Sequence, residues 1–347
     1  MMIFLVFLFF FATVTSSSFV YNEEWINFKN VHNISYRNAE HELNRLKIFE
    51  ENLQKIQQHN ILYERGLKSY KLGITPFADL TSQEFRGILN LKHRNSQRKG
   101  RQLFQVSHNR KLPSSIDWRQ MGAVTPVKDQ GYCGSCWAFA VTGSLEAQYY
   151  LKYGHLISLS EQQLVDCATE EYGSQGCYGG ELDSAYEYIK FSKFCFLYKL
   201  IIPTCFIIRA NGIELEQSYP YTMTDDRCKK NNSLIVTKIT DFVDVEPNNE
   251  NALSAAVGLI GPVSVAFDAA EFDMQFYKEG VYESNSCSQT ELNHAVLIVG
   301  YGSNDNGTDY WIVKNSWGPY FGMEGYMFMK RGVNQCGIAL EPSYPIL

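Results

Sequence analysis

The chain has 347 residues, of which 45% are hydrophobic and 14% aromatic, so it can bury a core in one large domain or two ordinary ones. The front segment (residues 1–111) carries 16 Lys and Arg against 9 Asp and Glu, whereas the main body (residues 112–347) carries 15 against 28. The basic front segment and the acidic main body attract each other. The negative charge of the main body argues against nucleic acid as its partner.

The start of the chain predicts export. Residues 1 to about 14 are almost wholly apolar and lead into Thr15 to Ser18. This run is too short to span a bilayer and is typical of a secretory signal, residues 1–18. Nine cysteines in an exported chain indicate disulfides, and the odd count leaves at least one thiol over. Three Asn-x-Ser/Thr acceptors are compatible with secretion: Asn33, Asn231 and Asn306.

Two amphipathic helices are predicted between residues 21 and 65. The first has the apolar stripe Trp25, Phe28 and Val31, and the second has Leu43, Leu46, Phe49, Leu53 and Ile56. A further set recurs every three or four residues along one side of the second helix: Arg45, Phe49, Asn52, Ile56 and Asn60. Spacing alone is most often that of an ordinary packed helix.

The rest of the front segment alternates short elements with polar sequence. Gly66 ends the helix, residues 70–74 predict a strand, and Thr81 with Glu84 predicts the cap of a short helix. Residues 92–111 are rich in Lys, Arg, Asn, Gln and Ser and predict a solvated linker that proteases can reach. A heparin or nucleic-acid patch is the less favoured alternative.

The main body begins near Leu112 and changes character along its length. Helices are predicted from Cys136 to about Tyr153, from Ser160, and from residue 182 to 190. After about Ile235 the pattern becomes β-rich, with strands predicted at residues 263–267, 295–300, 310–314 and 326–329. A helical half followed by a sheet half can form a site in the cleft between them.

Cys136 is the candidate nucleophile. It opens a predicted helix, where unpaired amides and aligned peptide dipoles favour a thiolate. Two alternatives remain open from the residues alone: a redox pair of Cys133 with Cys136, or two structural cysteines.

His294 and Asn315 supply the groups that a thiol needs in order to attack a carbonyl, a base and a residue that orients the base. His294 opens one predicted strand and Asn315 follows another, so both are expected at the same edge of one sheet. For either residue alone, a core histidine or a turn asparagine is the more frequent explanation.

Three segments resemble the active-site motifs of the papain-like cysteine proteases, in the order that the family has: residues 130–139 (Gln-Gly-Tyr-Cys-Gly-Ser-Cys-Trp-Ala-Phe), 293–295 (Asn-His-Ala) and 314–318 (Lys-Asn-Ser-Trp-Gly). Residues 160–167, 177–180 and 336–339 extend the resemblance, which is strongest to the cathepsin L-like branch. It implies an α+β, papain-like two-lobed fold, with a helical lobe and a β-barrel-like lobe flanking the active-site cleft. It also implies a preproenzyme that hydrolyses peptide bonds without a cofactor or metal.

The resemblance implies a role for each residue of these motifs. Cys136 is the nucleophile, His294 the acid and base, and Asn315 the residue that fixes the imidazole. Gln130 and the backbone N–H of Cys136 donate to the oxyanion, and Trp317 shields the bond between His294 and Asn315 from water. The implied mechanism is a thiolate–imidazolium pair, an acyl-enzyme and hydrolysis by an activated water.

Substrate binding is implied in the same way. Gly179 and Gly180 offer backbone hydrogen bonds to an extended peptide. Glu341 falls on the floor of the pocket for the second substrate residue before the cut, and its carboxylate predicts tolerance of Arg as well as Phe or Leu. The alternative is a solvated surface glutamate. The other implied pocket residues are Leu182, Ala266 and Ala295.

The family disulfides would join Cys133 to Cys177, Cys167 to Cys228, and Cys287 to Cys336. This pairing disfavours the redox hypothesis, because Cys133 is then held in a structural bond. Apart from Cys136, two cysteines are then left over: Cys195 and Cys205.

Residues 19–111 resemble an inhibitory propeptide, and residues 112–347 the mature peptidase. Gly73, Phe77 and Asp79 agree with the second propeptide motif, whereas Thr75 replaces the usual Asn and His41 the usual Glu of the first. Since the basic front segment faces an acidic main body, a fall in pH is expected to protonate carboxylates, weaken the attraction and expose the linker to cleavage.

Residues 191–209 depart from the family. They are strongly apolar, interrupted by Lys199 and Pro203, and make a poor bilayer span. Removing them joins residues 188–190 to 210–213 as an uninterrupted family segment, so translated intron sequence is the leading explanation. A genuine hydrophobic loop for partner or membrane contact is the rarer one.

The sequence thus predicts a secreted or lysosomal endopeptidase that acts on proteins and peptides, is inhibited by its own propeptide, binds no nucleic acid, has no stable membrane span and is a monomer. Two other classes compete with this prediction. One is a catalytically silent homologue that binds peptides or inhibits other proteases, and the other is the redox protein.

Overall fold

The computed structural model describes residues 23–92, 102–106, 111–195, 205–210 and 212–347, of which 191–195 and 205–210 are described by their backbone alone. The predicted secretory signal lies outside the described residues, as do most of the linker and the middle of the apolar insertion.

The chain folds into an α+β architecture of helices and one large sheet. The helices are 23–31 (α1), Ala39–Glu64 (α2), Ser82–Arg86 (α3), Cys136–Tyr153 (α4), Glu161–Cys167 (α5), Leu182–Ile189 (α6), Glu250–Leu259 (α7) and Phe272–Gln275 (α8). The strands are Tyr70–Leu72 (β1), Ile116–Asp117 (β2), Phe191–Cys195 (β3), Cys205–Ala210 (β4), Ile213–Glu214 (β5), Ile235–Thr237 (β6), Asp241–Asp244 (β7), Val263–Phe267 (β8), Tyr277–Tyr282 (β9), His294–Ser303 (β10), Asp309–Lys314 (β11), Tyr326–Lys330 (β12) and Ser343–Ile346 (β13). Three single turns of 3-10 helix lie at Gly176–Tyr178, Asn232–Leu234 and Gln335–Gly337.

Helices α1 and α2 are the two helices predicted for the front segment. Trp25 and Phe28 of α1 pack on Phe49 of α2, with ring centroids 5.2 and 5.1 Å apart. Two residues of the predicted stripes are not in this core, since Val31 is 41% and Leu43 65% exposed. Leu43 lies six residues before Phe49, and at about 100° per residue this turns it roughly 120° away from the buried face.

The short helix α3 begins with the predicted cap. The Thr81 hydroxyl accepts a hydrogen bond from the Glu84 N–H, and the Glu84 carboxylate accepts one from the Thr81 N–H, so the capping box is confirmed. This cap fixes the chain direction just before residues 87–92, which enter the cleft of the main body.

Strand β10 lies at the centre of the sheet. The strands follow the order β1-β9-β12-β11-β10-β8-β13-β7, and β2 also pairs with β10. Antiparallel pairing of β10 with β11 and β8 brings the start of β10, the end of β11 and the end of β8 to the same edge. The predicted strands of the sheet half are therefore confirmed, and their common edge carries His294 and Asn315.

Several features around the sheet were not predicted, among them strands β2, β7, β9 and β13. Helix α7 lies within the β-rich half, and β1 of the front segment extends the sheet by pairing with β9, Tyr70 opposite Gly280. The apolar insertion forms a hairpin at its two ends, with Phe191 opposite Ala210 and Cys195 opposite Cys205 along the backbone of β3 and β4.

Candidate active site

Cys136 is the first residue of α4 and is completely buried. Burial raises the pKa of its thiol to about 12, although the backbone N–H groups of Ala295, Trp137 and Cys136 itself favour the thiolate. The helix start was expected to give a thiolate. In this closed state the cost of burying a charge outweighs the helix terminus, because no water reaches the sulfur.

His294 and Asn315 lie together at the edge of the sheet. His294 Nε2 is 2.8 Å from Asn315 Oδ1, and that oxygen also accepts the Ser316 N–H at 2.8 Å. Because Asn315 Oδ1 accepts, His294 Nε2 is the protonated nitrogen. The other ring nitrogen, Nδ1, is buried and has no hydrogen-bond partner among the described residues. It is therefore the nitrogen that remains for proton exchange with another group.

Trp317 covers this pair. Its ring stacks on His294 with centroids 4.5 Å apart and planes 23° apart, and only 1% of its surface is exposed. Phe77 and Phe85 of the front segment meet Trp317 edge-on at 5.3 and 5.4 Å. Burial lowers the pKa of His294 to about 4, against the opposing effect of its bond to Asn315.

Gln130 ties the loop before Cys136 to the loop after β11. Its side-chain Nε2 donates to the Cys133 carbonyl at 2.9 Å, and its Oε1 accepts from the Ser316 hydroxyl at 2.6 Å. The backbone N–H of Gln130 donates to the Ser316 carbonyl at 2.8 Å. An amide nitrogen has two N–H donors, so one remains after the bond to Cys133.

The structure joins Cys133 to Cys177, Cys167 to Cys228 and Cys287 to Cys336, the same pairs that the resemblance implies. Cys136 is the free cysteine of the part of the chain whose side chains are described. The redox hypothesis is therefore wrong, because Cys133 is bonded to Cys177 and has no thiol to pair with Cys136.

Residues 90–92 of the front segment occupy the cleft. The Leu91 N–H donates to the Asn293 carbonyl and the Lys92 N–H to the Gly180 carbonyl, both at 3.1 Å. At Gly179, where φ is +107°, an added Cβ would stand 1.8 Å from the Asn90 carbonyl oxygen. Gly180 therefore accepts a hydrogen bond from the front segment, and the absence of a side chain at Gly179 allows the Asn90 carbonyl to approach closely.

Three of the four residues expected to form the substrate pocket share a hydrophobic cluster with this segment. Leu182, Ala266 and Ala295 are buried in one hydrophobic cluster that also contains Leu91. Ala266 and Ala295 are directly opposite each other on β8 and β10. Glu341 is partly buried and follows Leu340, which packs against the same cluster. Sequence reasoning missed the place of Leu91 in this cluster, for which an apolar residue before a basic linker was the only signal.

The spaced residues of α2 anchor the rest of the front segment. Arg45 donates to the Asp79 carbonyl at 3.0 Å and to both carboxylate oxygens of Glu84 at 2.9 and 2.7 Å. Asn52 Nδ2 donates to the Ala78 and Leu80 carbonyls at 3.0 and 2.9 Å. These are specific hydrogen bonds, so the set does more than pack an ordinary helix face.

The main body also holds the front segment directly. Gln275 Nε2 donates to the Phe77 and Leu80 carbonyls, both at 3.0 Å. Thr75, which stands where Asn was expected, donates its hydroxyl to the Gln275 carbonyl at 2.9 Å. His41, in place of the expected Glu, meets Arg45 Nε at 3.4 Å through its Nε2.

Comparison with known proteins identifies this arrangement. Residues 112–195 and 203–346 match the papain family cysteine proteases, and residues 25–85 match the cathepsin propeptide inhibitor domain. The chain belongs to the papain family of cysteine proteases. The match does not include residues 196–202, which lie within the apolar insertion.

Relatives of this family cover almost the whole chain. Cathepsin L of Sarcophaga peregrina is 45% identical over 93% of this chain and 92% of its own length, and procathepsin L of Mus musculus is 44% identical over 94% and 92%. Digestive procathepsin L 3 of the Tenebrio molitor larval midgut superposes with a TM-score of 0.83 at 40% identity, over 94% of this chain and 99% of that one. The chain is thus a cathepsin L-like cysteine protease, a hydrolase made as a zymogen with an intramolecular propeptide inhibitor. The fold is the papain-like fold preceded by that propeptide.

Proposed function

We propose that Cys136 is the nucleophile of this protease, with His294 as its acid and base and Asn315 as the residue that orients the imidazole. The bond from His294 Nε2 to Asn315 supports this assignment, because it leaves Nδ1 without a partner in the buried site. The Cys136 sulfur lies beside the backbone N–H of Ala295, the residue after His294.

In the open enzyme His294 Nδ1 takes the thiol proton and the thiolate attacks the substrate carbonyl. The tetrahedral oxyanion accepts hydrogen bonds from the Cys136 N–H and from the second N–H of the Gln130 amide. His294 then protonates the leaving amine, which gives an acyl-enzyme, and later activates the water that hydrolyses it.

An active-site label tests the assignment. A thiol-reactive epoxide should label the acid-processed enzyme once, and Cys136→Ala should abolish both labelling and peptidase activity. His294→Ala should abolish activity, while the matched control His155→Ala, at an exposed histidine, should retain it. Gln130→Ala should lower kcat by roughly 10² to 10³-fold. Absence of labelling and of hydrolysis in the parent enzyme would favour the catalytically silent alternative, for which the comparisons give no support. Hydrolysis that persists in Cys136→Ala would mean that another residue is the nucleophile.

We further propose that residues 1–18 are the secretory signal, 19–111 the propeptide and 112–347 the mature enzyme. The propeptide match at residues 25–85 and the passage of residues 90–92 through the cleft support a boundary after the cleft segment. N-terminal sequencing of the acid-processed enzyme tests it. A mature form that begins before residue 93 would contradict it, because the cleft would remain covered.

Acid is the expected trigger of processing. Arg45 holds the pKa of Glu84 at about 2, so this ion pair lasts through mildly acid pH. His294 behaves differently, since its pKa of about 4 in the closed state lies below the ordinary 6.5. The closed form loses stability as pH falls from 6.5 towards 4, because only an opened site lets His294 bind a proton. Processing that is as fast at neutral as at acid pH, with activity measured separately, would refute the trigger.

The pocket around Leu182, Ala266 and Ala295 is proposed to bind the second substrate residue before the cut, with Glu341 on its floor. Its apolar wall and the carboxylate together support tolerance of Phe, Leu and Arg. In a peptide library, Glu341→Ala should lose cleavage of substrates with Arg in that position and keep cleavage of substrates with Leu there. No preference for Arg over Ala in the parent enzyme would identify Glu341 as a surface residue.

Passage through the secretory pathway to a lysosomal or extracellular site, as a monomer, completes the proposal. Asn306 is exposed in the turn between β10 and β11, so its acceptor triplet is accessible. A glycosidase-sensitive mass that Asn306→Gln removes would report this route, and sedimentation would report the monomer. No helix within the described ranges is long and apolar enough to cross a membrane.

Residues 191–209 are proposed to be translated intron sequence, supported by the break in the family match at 196–202. Sequencing the transcript across this region tests the proposal. A chain without residues 191–209 should fold and process as well as or better than the full chain. A transcript that retains the segment, with higher activity in its presence, would establish a real loop.

A further inference from the structure

A group of buried charges lies between α4, α5 and the end of β11. Lys128 Nζ donates to Glu146 at 2.9 Å and to Glu161 at 2.6 Å, and both carboxylates are only 1% exposed. Lys314 Nζ donates to the Thr125 hydroxyl at 2.9 Å, which in turn donates to Glu146 at 2.6 Å. Each of these side chains is paired, and the catalytic assignment uses none of them.

Glu216 adds a third carboxylate to this group. Its Oε1 accepts the Tyr221 N–H at 2.8 Å, while its Oε2 is buried and has no donor among the described residues. Glu161 Oε2 is also buried without a donor, and the two side chains are within hydrogen-bonding reach of each other. Two carboxylates within hydrogen-bonding reach repel each other unless a proton lies between them.

The charge of the group requires the same proton. Lys128 and Lys314 supply two positive charges, whereas Glu146, Glu161 and Glu216 supply three negative ones. A single added proton makes the group neutral and satisfies both orphaned oxygens at once. Unpaired buried charge is costly, so the protonated arrangement is the stable one.

We propose that Glu161 and Glu216 share one proton, and that this carboxyl–carboxylate pair positions the loop that carries Cys136. The connection is Tyr221, whose N–H is held by Glu216. Its hydroxyl donates to the Gln130 carbonyl at 3.0 Å and lies 2.5 Å from the Ser135 hydroxyl.

Tyr221 thereby holds both ends of the loop that precedes Cys136. Its ring also meets Phe139 of α4 edge-on, with centroids 4.9 Å apart. Loss of the shared proton would leave two repelling carboxylates, displace residues 216–221 and loosen the loop. The positioning role rests on the proposed role of Cys136, whereas the shared proton does not.

The direction of the pH effect follows from the same geometry. Burial raises the pKa of Glu216, and it raises the pKa of Glu161 to about 7, with Lys128 opposing and Glu146 reinforcing the rise. A raised pKa means that the folded state keeps a proton that the unfolded state has released. The contribution of the shared proton to the free energy of unfolding is fully present below about pH 4.5, the ordinary pKa of a glutamate. It is lost as pH rises through about 7.

Infrared spectroscopy and unfolding of the full-length zymogen test the shared proton. At pH 6 the parent protein should show the C=O band of a protonated carboxyl that Glu216→Gln lacks. The glutamine amide donates to Glu161 permanently, so the unfolding midpoint of Glu216→Gln should fall less than that of the parent between pH 5 and pH 7.5. Glu187→Gln, at an exposed glutamate of α6, is the matched control and should behave as the parent. Persistence of the band, a pH dependence equal to the parent's, or failure of Glu216→Gln to fold would each overturn the proposal, since glutamine reproduces the protonated form.

Tyr221→Phe tests the positioning role separately. It removes the hydroxyl contacts and leaves the N–H on Glu216, so the infrared band should remain. In the acid-processed enzyme kcat should fall about tenfold with KM unchanged, since the loop that carries Cys136 loses two of the hydrogen bonds that position it. Epoxide labelling of Cys136 in this variant shows that the nucleophile is intact. An unchanged kcat would overturn the positioning role, and loss of labelling in the parent enzyme would instead count against the proposed function.

Discussion

Gln275 belongs to the mature enzyme and holds the propeptide by hydrogen bonds. Its replacement measures how much these bonds contribute to the free energy of closure. Gln275 is fully buried in the closed state, and its amide donates to the Phe77 and Leu80 carbonyls, both at 3.0 Å. Gln275→Ala removes both donors. Neither carbonyl is then orphaned, because Phe77 still accepts the Leu80 N–H and Leu80 still accepts the Asn52 amide.

The expected loss is therefore that of two ordinary hydrogen bonds, without a penalty for unsatisfied groups. At about 0.5 to 1.5 kcal/mol each, closure weakens by about 1 to 3 kcal/mol, or roughly 5 to 150-fold in the fraction of open molecules. A zymogen that opens this much more often exposes Cys136 that much more often.

The assay is the rate at which a thiol-reactive epoxide labels Cys136 in intact zymogen at neutral pH, followed by mass spectrometry. Labelling of Gln275→Ala should be roughly 5 to 150-fold faster than that of the parent. Gln289→Ala, an exposed glutamine of the main body, is the control and should label as the parent. The processed variant must label at the parent's rate. A zymogen rate within twofold of the parent would refute the reasoning that these bonds hold the site closed.

Three further results are expected. Gly179→Ala places a Cβ 1.8 Å from the Asn90 carbonyl at a φ of +107°, so the zymogen should open more often and its Cys136 should be labelled faster by the epoxide. An unchanged labelling rate would contradict the close approach. Leu91→Asp puts a carboxylate into an apolar cluster and should shorten the lag before processing in acid, whereas Leu91→Met should not. Equal lags in the two variants would mean that Leu91 does not hold the zymogen closed. Since burial lowers the pKa of His294 to about 4, NMR titration of the Cys136→Ala zymogen should find its imidazole neutral at pH 5.5, and a protonated ring at that pH would contradict the closed geometry.

Much of the architecture was predictable because it depends on local sequence. The helix from Cys136 to Tyr153 ends where Gly154 takes a φ of +77°, and the capping box of Thr81 and Glu84 lies where the pattern predicted it. The strands that carry His294 and Asn315 were readable from runs of β-branched and aromatic residues. Their shared edge followed from the positions of the two residues at opposite ends of neighbouring antiparallel strands.

The remaining features depend on contacts between distant parts of the chain. No local pattern connects Tyr70 with Gly280 across the sheet edge, Leu91 with the pocket, or Glu161 with Glu216. The exposure of Leu43 likewise depended on which face of α2 packs against α1 and the rest of the front segment.

The sequence by itself determined the chemistry: which cysteine is the candidate nucleophile, which residues accompany it and which family the chain resembles, because those signals lie in short contiguous motifs. The tertiary structure decided the protonation states of the residues that carry it. Burial of Cys136 and His294 beneath the propeptide raises the pKa of the thiol and lowers that of the imidazole, which disfavours the ion pair that the helix start favours. Desolvation is a property of the whole packed assembly, so no local stretch of sequence contains it.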